Sequence, residues 1–233
     1  MASQTSVLIV GGNRGLGLEW VRQWLDRGAR VYATARQPAS AEDLQKLQKR
    51  FRELLSIHQA DVASDESVEN LGKALEDEPL DLLIHNAGVR GRGGLGDLDT
   101  DEVLEVLNIN SIGALRTVRE FLPHLKQSDG RGKIALITSL MGSIDDNRSG
   151  GAYSYRMSKA ALNMAGRSMA VDLRPDDIDV LILHPGWVRT DMGGPAARIS
   201  VEESVSGMMV LVEKLDASMS GTFWHSNGEQ LPW

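Results

Sequence analysis

Val7-Leu8-Ile9-Val10-Gly11-Gly12-Asn13-Arg14-Gly15-Leu16-Gly17 is the stretch whose reading decides the fold. Four apolar residues, three of them β-branched, make a short strand of the kind buried on both faces. The glycines let the backbone turn sharply and approach a pyrophosphate with no side chain in the way. An amphipathic helical pattern follows at once, over 16–27. Its N-terminus offers free N–H groups and the positive end of the helix dipole to an anion. A glycine-rich turn alone is a weak signal; a strand before it and a helix after it make it a phosphate-binding loop.

Working outward, the same alternation continues along the chain. Apolar runs at 7–10, 29–33, 54–59, 80–85, 133–138 and 180–184, with a weaker one at 222–224, predict strands. Between them, 16–27, 41–51, 65–76, 101–127, 155–173 and 201–215 carry helical periodicity. Gly28 follows the first helix as a C-terminal stop. Ser64 precedes the acidic turn Asp65-Glu66, and Pro175 ends the helix that reaches Leu173. The glycine-rich stretch 90–96 reads as a loop, and the polar stretch 145–151 as a surface loop. Strand–helix alternation predicts an α/β fold: a Rossmann-type, doubly wound, seven-stranded parallel sheet with helices on both faces. No linker or repeat divides the chain, so residues 1–233 are expected to form one cofactor-binding domain.

Composition narrows the function. The formal net charge is −7, and no long basic run is present. That argues against nucleic acid and anionic membrane surfaces as partners. The absence of cysteine excludes disulfides, thiolate catalysis and cysteine-ligated metals. The histidines at 58, 85, 124, 184 and 225 make no metal-ligand spacing, so no metal is expected. The first apolar run is only four residues long and ends in glycine, unlike a signal peptide. A protein without a membrane span, working in the cytoplasm, is the expectation.

The end of the second strand identifies the dinucleotide. NAD sites carry an acid about 20 residues past the glycines for the ribose 2′-hydroxyl. Here the chain reads Ala33-Thr34-Ala35-Arg36, with no carboxylate. Arg36 can bind a 2′-phosphate with charge-assisted hydrogen bonds, and Arg14 can reach it from the glycine loop. NADP(H) is therefore expected over NAD(H).

Tyr155-Arg156-Met157-Ser158-Lys159 opens the long helical pattern 155–173. Spacing of four puts the Tyr155 and Lys159 side chains on one face. A nearby ammonium is expected to lower a phenol pKa that is ordinarily about 10, fitting the tyrosine for proton transfer to or from a substrate oxygen. Ser139 follows the fifth strand, at the sheet end where ligands collect, and its hydroxyl can hold that oxygen. Asn110 interrupts the helical pattern 101–127; asparagine is a poor helix-interior residue, and it can break the helix locally to hold a water or a backbone group.

Together these residues resemble the short-chain dehydrogenase/reductase family, over the whole chain and in order. Gly11, Gly15 and Gly17, in a G-x-x-x-G-x-G spacing, match its cofactor loop, with Asn13, Arg14 and Leu16 between them. The family usually has Thr where this chain has Gly11, so a hydroxyl that braces the turn is lost. Asp61-Val62 match the pair bordering the adenine, and Asn86-Ala87-Gly88 the motif that steadies the sheet beside the cofactor. Asn110, Ser139, Tyr155 and Lys159 match the catalytic tetrad. Pro185-Gly186, Val188 and Thr190 match the segment that meets the nicotinamide. The resemblance implies Tyr155 as acid/base, Ser139 polarising the carbonyl, Lys159 on the nicotinamide ribose, and Asn110 supporting a water that links Lys159 to solvent. The stretches 184–194 and 228–233 resemble the C-factor and sniffer-type carbonyl reductases. That similarity implies NADPH-dependent reduction of aldehydes, ketones or quinones. The alternative is a cofactor-binding signalling or regulatory protein; a sugar epimerase ranks last, for want of a sugar-binding lobe. Homodimers or homotetramers built on 101–127 and 155–173 are the assemblies the family implies.

The substrate side is less marked. About ten residues separate Thr190 from the helical pattern at Val201, too short a lid to bury much ligand. Met141, Ile144, Trp187 and Met192 are candidate apolar walls, and no arginine clamp for a carboxylate is identifiable. An apolar carbonyl or alcohol, loosely discriminated, is the expected small-molecule partner.

Overall fold

In a computed structural model, which describes residues 4–233, seven strands form one parallel sheet. In chain order they are β1 (Ser6–Val10), β2 (Arg30–Ala35), β3 (Leu55–Gln59), β4 (Leu82–His85), β5 (Gly132–Ile137), β6 (Ile178–His184) and β7 (Thr222–His225). Their spatial order is β3-β2-β1-β4-β5-β6-β7, so the winding reverses between β1 and β4. A cleft opens at such a reversal, beyond the carboxyl ends of the strands.

Alternation along each strand divides the core. Val7, Ile9, Leu82 and Ile84 point to one face, beneath α1 (Gly15–Asp26), α2 (Glu42–Arg50) and, late in the chain, a helix at Val201–Lys214. Leu8, Val10 and Leu83 point to the other. There they meet α3 (Asp65–Ala74) and two further helices, one that follows Asn110 and one that contains Tyr155. Both faces are covered, which explains why the strands read as continuous apolar runs. No helix among the described residues is long and apolar enough to cross a membrane.

The helical pattern 101–127 is not one helix. It divides into α4 (Thr100–Leu107), a π-turn (Asn108–Ile112) and α5 (Gly113–Leu125), with the break at Asn110. The long helix α6 runs Tyr153–Asp172, so Tyr155 lies inside its first turn rather than opening it. The chain enters α6 through Ala152 at φ 45°. Helix α7 (Val201–Lys214) is capped by Ser200, whose hydroxyl accepts from the Glu203 N–H at 3.1 Å. Two smaller features match their sequence signals. The Ser64 hydroxyl caps α3 by accepting from the Ser67 N–H at 3.2 Å, and Gly28 sits at φ 77° just past α1.

Candidate active site

A cleft of about 910 Å³ runs across the strand ends from β3 to β6. Its floor is the glycine loop. Gly11 has φ 82°, and a Cβ there would lie 2.9 Å from the Ala87 Cα. A Cβ on Gly17 would collide with the Gly11 carbonyl oxygen. No acidic residue stands in the first turn of α1, and Arg14 caps it without a side-chain bond, which leaves the end N–H groups for an anion. The bare backbone and the helix end together fit a dinucleotide pyrophosphate. The brace lost at Gly11 is supplied by Thr34 on β2: its hydroxyl accepts from the Gly11 N–H at 3.1 Å and its carbonyl from Gly12 at 2.8 Å.

Most of the expected cofactor residues meet here. Gly11, Asn13, Arg14, Gly15, Leu16, Arg36, Asp61, Val62, Asn86, Ala87, Gly88, Tyr155, Lys159, Pro185 and Thr190 all line the cleft. Gly17, Gly186 and Val188 stand behind it as supports. Gly186, at φ 85°, turns the chain out of β6, and Val188 is buried and bridges to Ile199. At the β2 end, Arg36 is joined by Gln37 and Ser40, again with no carboxylate between residues 34 and 41. Arg14 departs from expectation: it is paired with Asp191 at 3.0 Å across the cleft.

The four catalytic candidates converge from three elements. Lys159 is buried in α6 and donates to the Ile137 carbonyl at 3.0 Å. Burial holds its amine down at about 8. Its Nζ lies 5.8 Å from the centre of the Tyr155 ring. Burial also raises the Tyr155 phenol above its ordinary value, opposed by the Ser139 hydroxyl and by the charge of Arg90. The lowering expected from Lys159 is thus replaced by a rise through desolvation, with Ser139 and Arg90 as the opposing groups. The Ser139 hydroxyl caps a short 3-10 turn, accepting from the Met141 N–H at 3.2 Å. Asn110 is wholly buried and its amide grips backbone. Its oxygen accepts from the Val89 N–H at 2.7 Å, and its nitrogen donates to the Val89 carbonyl and the Ser158 hydroxyl at 2.9 Å each. The π-turn is what lets the side chain reach inward there. This fixes the irregular segment that follows Gly88, a residue whose added Cβ would lie 3.4 Å from the Lys159 Nζ.

The substrate candidates divide. Met192 lines the cleft; Met141, Ile144 and Trp187 do not. Ile144 is 81% exposed and Trp187 51%, so neither is core. The Trp187 indole donates to the Gly193 carbonyl at 2.8 Å, stiffening the segment after β6. A cation does stand at this end: Arg90 acts on Tyr155 and donates to the Met192 carbonyl at 3.4 Å. Thr34, Gln37, Ser40, Gln59, Ile109 and Asp191 were not expected and also line the cleft. Of these, only Thr34 had a local signal, a hydroxyl at the strand end facing the glycine turn.

Comparisons with known proteins agree with this geometry. A family model described as short chain dehydrogenase matches residues 5–198. The chain is 49% identical over 156 residues to the C-signal of Myxococcus xanthus, covering 66% of this chain and 93% of that protein. An NADPH-bound carbonyl reductase from chicken fatty liver superposes with a TM-score of 0.93 at 35% identity, over 99% of this chain and 100% of that one. The carbonyl reductase Sniffer of D. melanogaster does so with a TM-score of 0.92 at 33% identity, over the same shares.

Proposed function

The chain belongs to the short-chain dehydrogenase family, and we propose that it reduces aldehydes, ketones or quinones with NADPH, preferred over NADH, using Tyr155 as the proton donor. It is an oxidoreductase of alcohol and carbonyl groups. In this reading residues 1–233 act as one domain in the cytoplasm, and NADP(H) when bound supplies or takes the hydride. The observation that carries it is the convergence of Tyr155 and Lys159 on the cleft that the glycine loop floors.

The chain's own residues divide the remaining chemistry. The bare backbone of Gly11, Gly15 and Gly17 receives the pyrophosphate, and Arg36 takes the 2′-phosphate. Burial keeps the Tyr155 phenol protonated at neutral pH, which is the form that donates to a carbonyl oxygen. Ser139 holds that oxygen by hydrogen bond. Lys159, charged below its pKa of about 8 and donating to the Ile137 carbonyl, would bind the nicotinamide ribose. Asn110 acts through backbone, holding Val89 and the Ser158 hydroxyl so that Lys159 keeps its place.

Turnover of a carbonyl panel with NADPH, measured beside Tyr155→Phe, tests this. We expect kcat to fall by roughly 10²–10⁴ in the variant, the usual weight of a positioned acid, with NADPH binding retained. Unchanged turnover in Tyr155→Phe defeats the mechanism. The identity with C-signal favours a second reading, a cofactor-binding signalling protein. Tight NADPH binding without turnover across the panel would support that one instead.

A homodimer or homotetramer belongs to the same reading. Leu104, Ile112 and Leu115 around the π-turn, and Met157, Met164 and Val171 on one stripe of α6, are exposed apolar residues on helices that pack together. Sedimentation velocity should show an assembly larger than the 25.4 kDa chain; a monomer alone removes this part.

A further inference from the structure

We propose that residues 229–233 form a strap that positions the active-site loop between Ser139 and Tyr155, acting through the main-chain oxygen of Trp233. Three donors of that loop converge on this one oxygen: the Ser143 hydroxyl at 2.9 Å, the Ile144 N–H at 2.8 Å and the Asp145 N–H at 2.9 Å. The Ser143 hydroxyl in turn accepts from the Asp146 N–H at 3.1 Å, so four consecutive residues are tied to the strap.

The strap is itself anchored on the sheet. The Glu229 carbonyl accepts from the His225 N–H at 2.8 Å, Gln230 bridges antiparallel to Trp224, and the Leu231 N–H donates to the Phe223 carbonyl at 2.8 Å. The Trp233 ring stacks on Phe223 with centres 5.7 Å apart and planes 20° from parallel. Phe223 is core, so the strap carries the position of β7 to the loop.

The loop's other side touches the chemistry. Ser139 starts it, and a Cβ on Gly142 would lie 2.7 Å from the Lys159 backbone carbon. A shift of the loop therefore moves the Ser139 hydroxyl against the phenol. No strap residue lines the cofactor cleft. The strap thus acts on substrate and leaves NADPH binding alone.

Deleting residues 231–233 removes the acceptor, and Ser143→Ala removes one donor while leaving the strap packed. In the deletion we expect exchange of the Ile144 and Asp145 amides to quicken by at least about tenfold, as lost hydrogen bonds allow. KM for a carbonyl substrate should rise about tenfold, with NADPH affinity within about twofold of the unaltered chain. Ser143→Ala should raise KM about threefold. Unchanged amide exchange with unchanged KM overturns the proposal. So does loss of NADPH affinity in the deletion beside a silent Ser143→Ala, which would make the strap a general support of the fold. The kinetic arm rests on the reductase reading, while the exchange arm does not. No turnover in the unaltered chain, with quickened exchange in the deletion, would defeat that reading and uphold the strap.

Discussion

At the β1–β2 end of the cleft the chain meets its ligand with backbone; at the β5–β6 end it meets solvent with side chains on loops. The glycine loop has no freedom to drift: Gly11 is held by the Thr34 hydroxyl, and both Gly11 and Gly17 sit where a single added carbon would strike backbone. At the far end Met192 lines the cleft while Ile144 and Trp187 stand on the loops outside it, all three exposed, on segments fixed by a handful of hydrogen bonds. One end can be exact because a pyrophosphate and a helix terminus have fixed shapes. The other has few buried polar groups with which to reject a wrong substrate, and weak discrimination is the expected outcome.

The largest effect should come from the rigid end. In Gly17→Ala the new methyl meets the Gly11 carbonyl oxygen and stands 2.7 Å from the Asn86 amide nitrogen, and neither can yield without moving the loop. We expect NADPH affinity to fall by about 100-fold or more, comparable to losing several hydrogen bonds to a charged group. Titration by nicotinamide fluorescence measures it. A variant that still binds NADPH within a few fold would show that the loop is softer than its geometry implies, and the contrast between the two ends would collapse.

A smaller effect separates two arginines within that end. Arg14 is committed to Asp191 at 3.0 Å, whereas Arg36 makes no ion pair among the described residues. Arg36→Ala should lower NADPH affinity by roughly 10–100-fold, the loss of hydrogen bonds between charged groups, and leave NADH binding unchanged. Arg14→Ala should cost less, since an exposed arginine must first leave its carboxylate. Equal losses in both variants would mean that Arg14 abandons Asp191 completely when the cofactor binds.

What could be read from the sequence follows the same division. The glycine loop, the strand–helix alternation and the Tyr155–Lys159 spacing are local patterns, and local patterns set local backbone. Even the break at Asn110 is legible, because asparagine is a poor residue for a helix interior. The contacts that shape the far end join distant residues. Arg14 meets Asp191, Arg90 meets Met192 and Ser143 meets Trp233, each at a separation that no periodicity encodes. The pKa of Tyr155 belongs to the same class. Spacing places Lys159 beside it, but the burial that raises the phenol is a property of the packed helix layer.

The smallest effect should come from the rim. Ile144 is 81% exposed, so a substrate can cover only part of it, and a full burial of such a side chain is worth only about 1.5–3 kcal/mol. Ile144→Ala should therefore change kcat/KM by less than about threefold for a short aldehyde. Trp187→Ala should cost more, because it also removes the indole bond to the Gly193 carbonyl that stiffens the segment after β6. The discriminating measurement is kcat/KM over a series of straight-chain aldehydes of increasing length. If the rim is open, the gain per added methylene is shallow in the unaltered chain and little changed in Ile144→Ala. A tenfold loss confined to the longer aldehydes would mean that substrate buries Ile144 fully. The far end would then be a closing pocket, held in register by the same Ile144 N–H that bonds to Trp233, and the two ends of the cleft would differ only in when they become ordered.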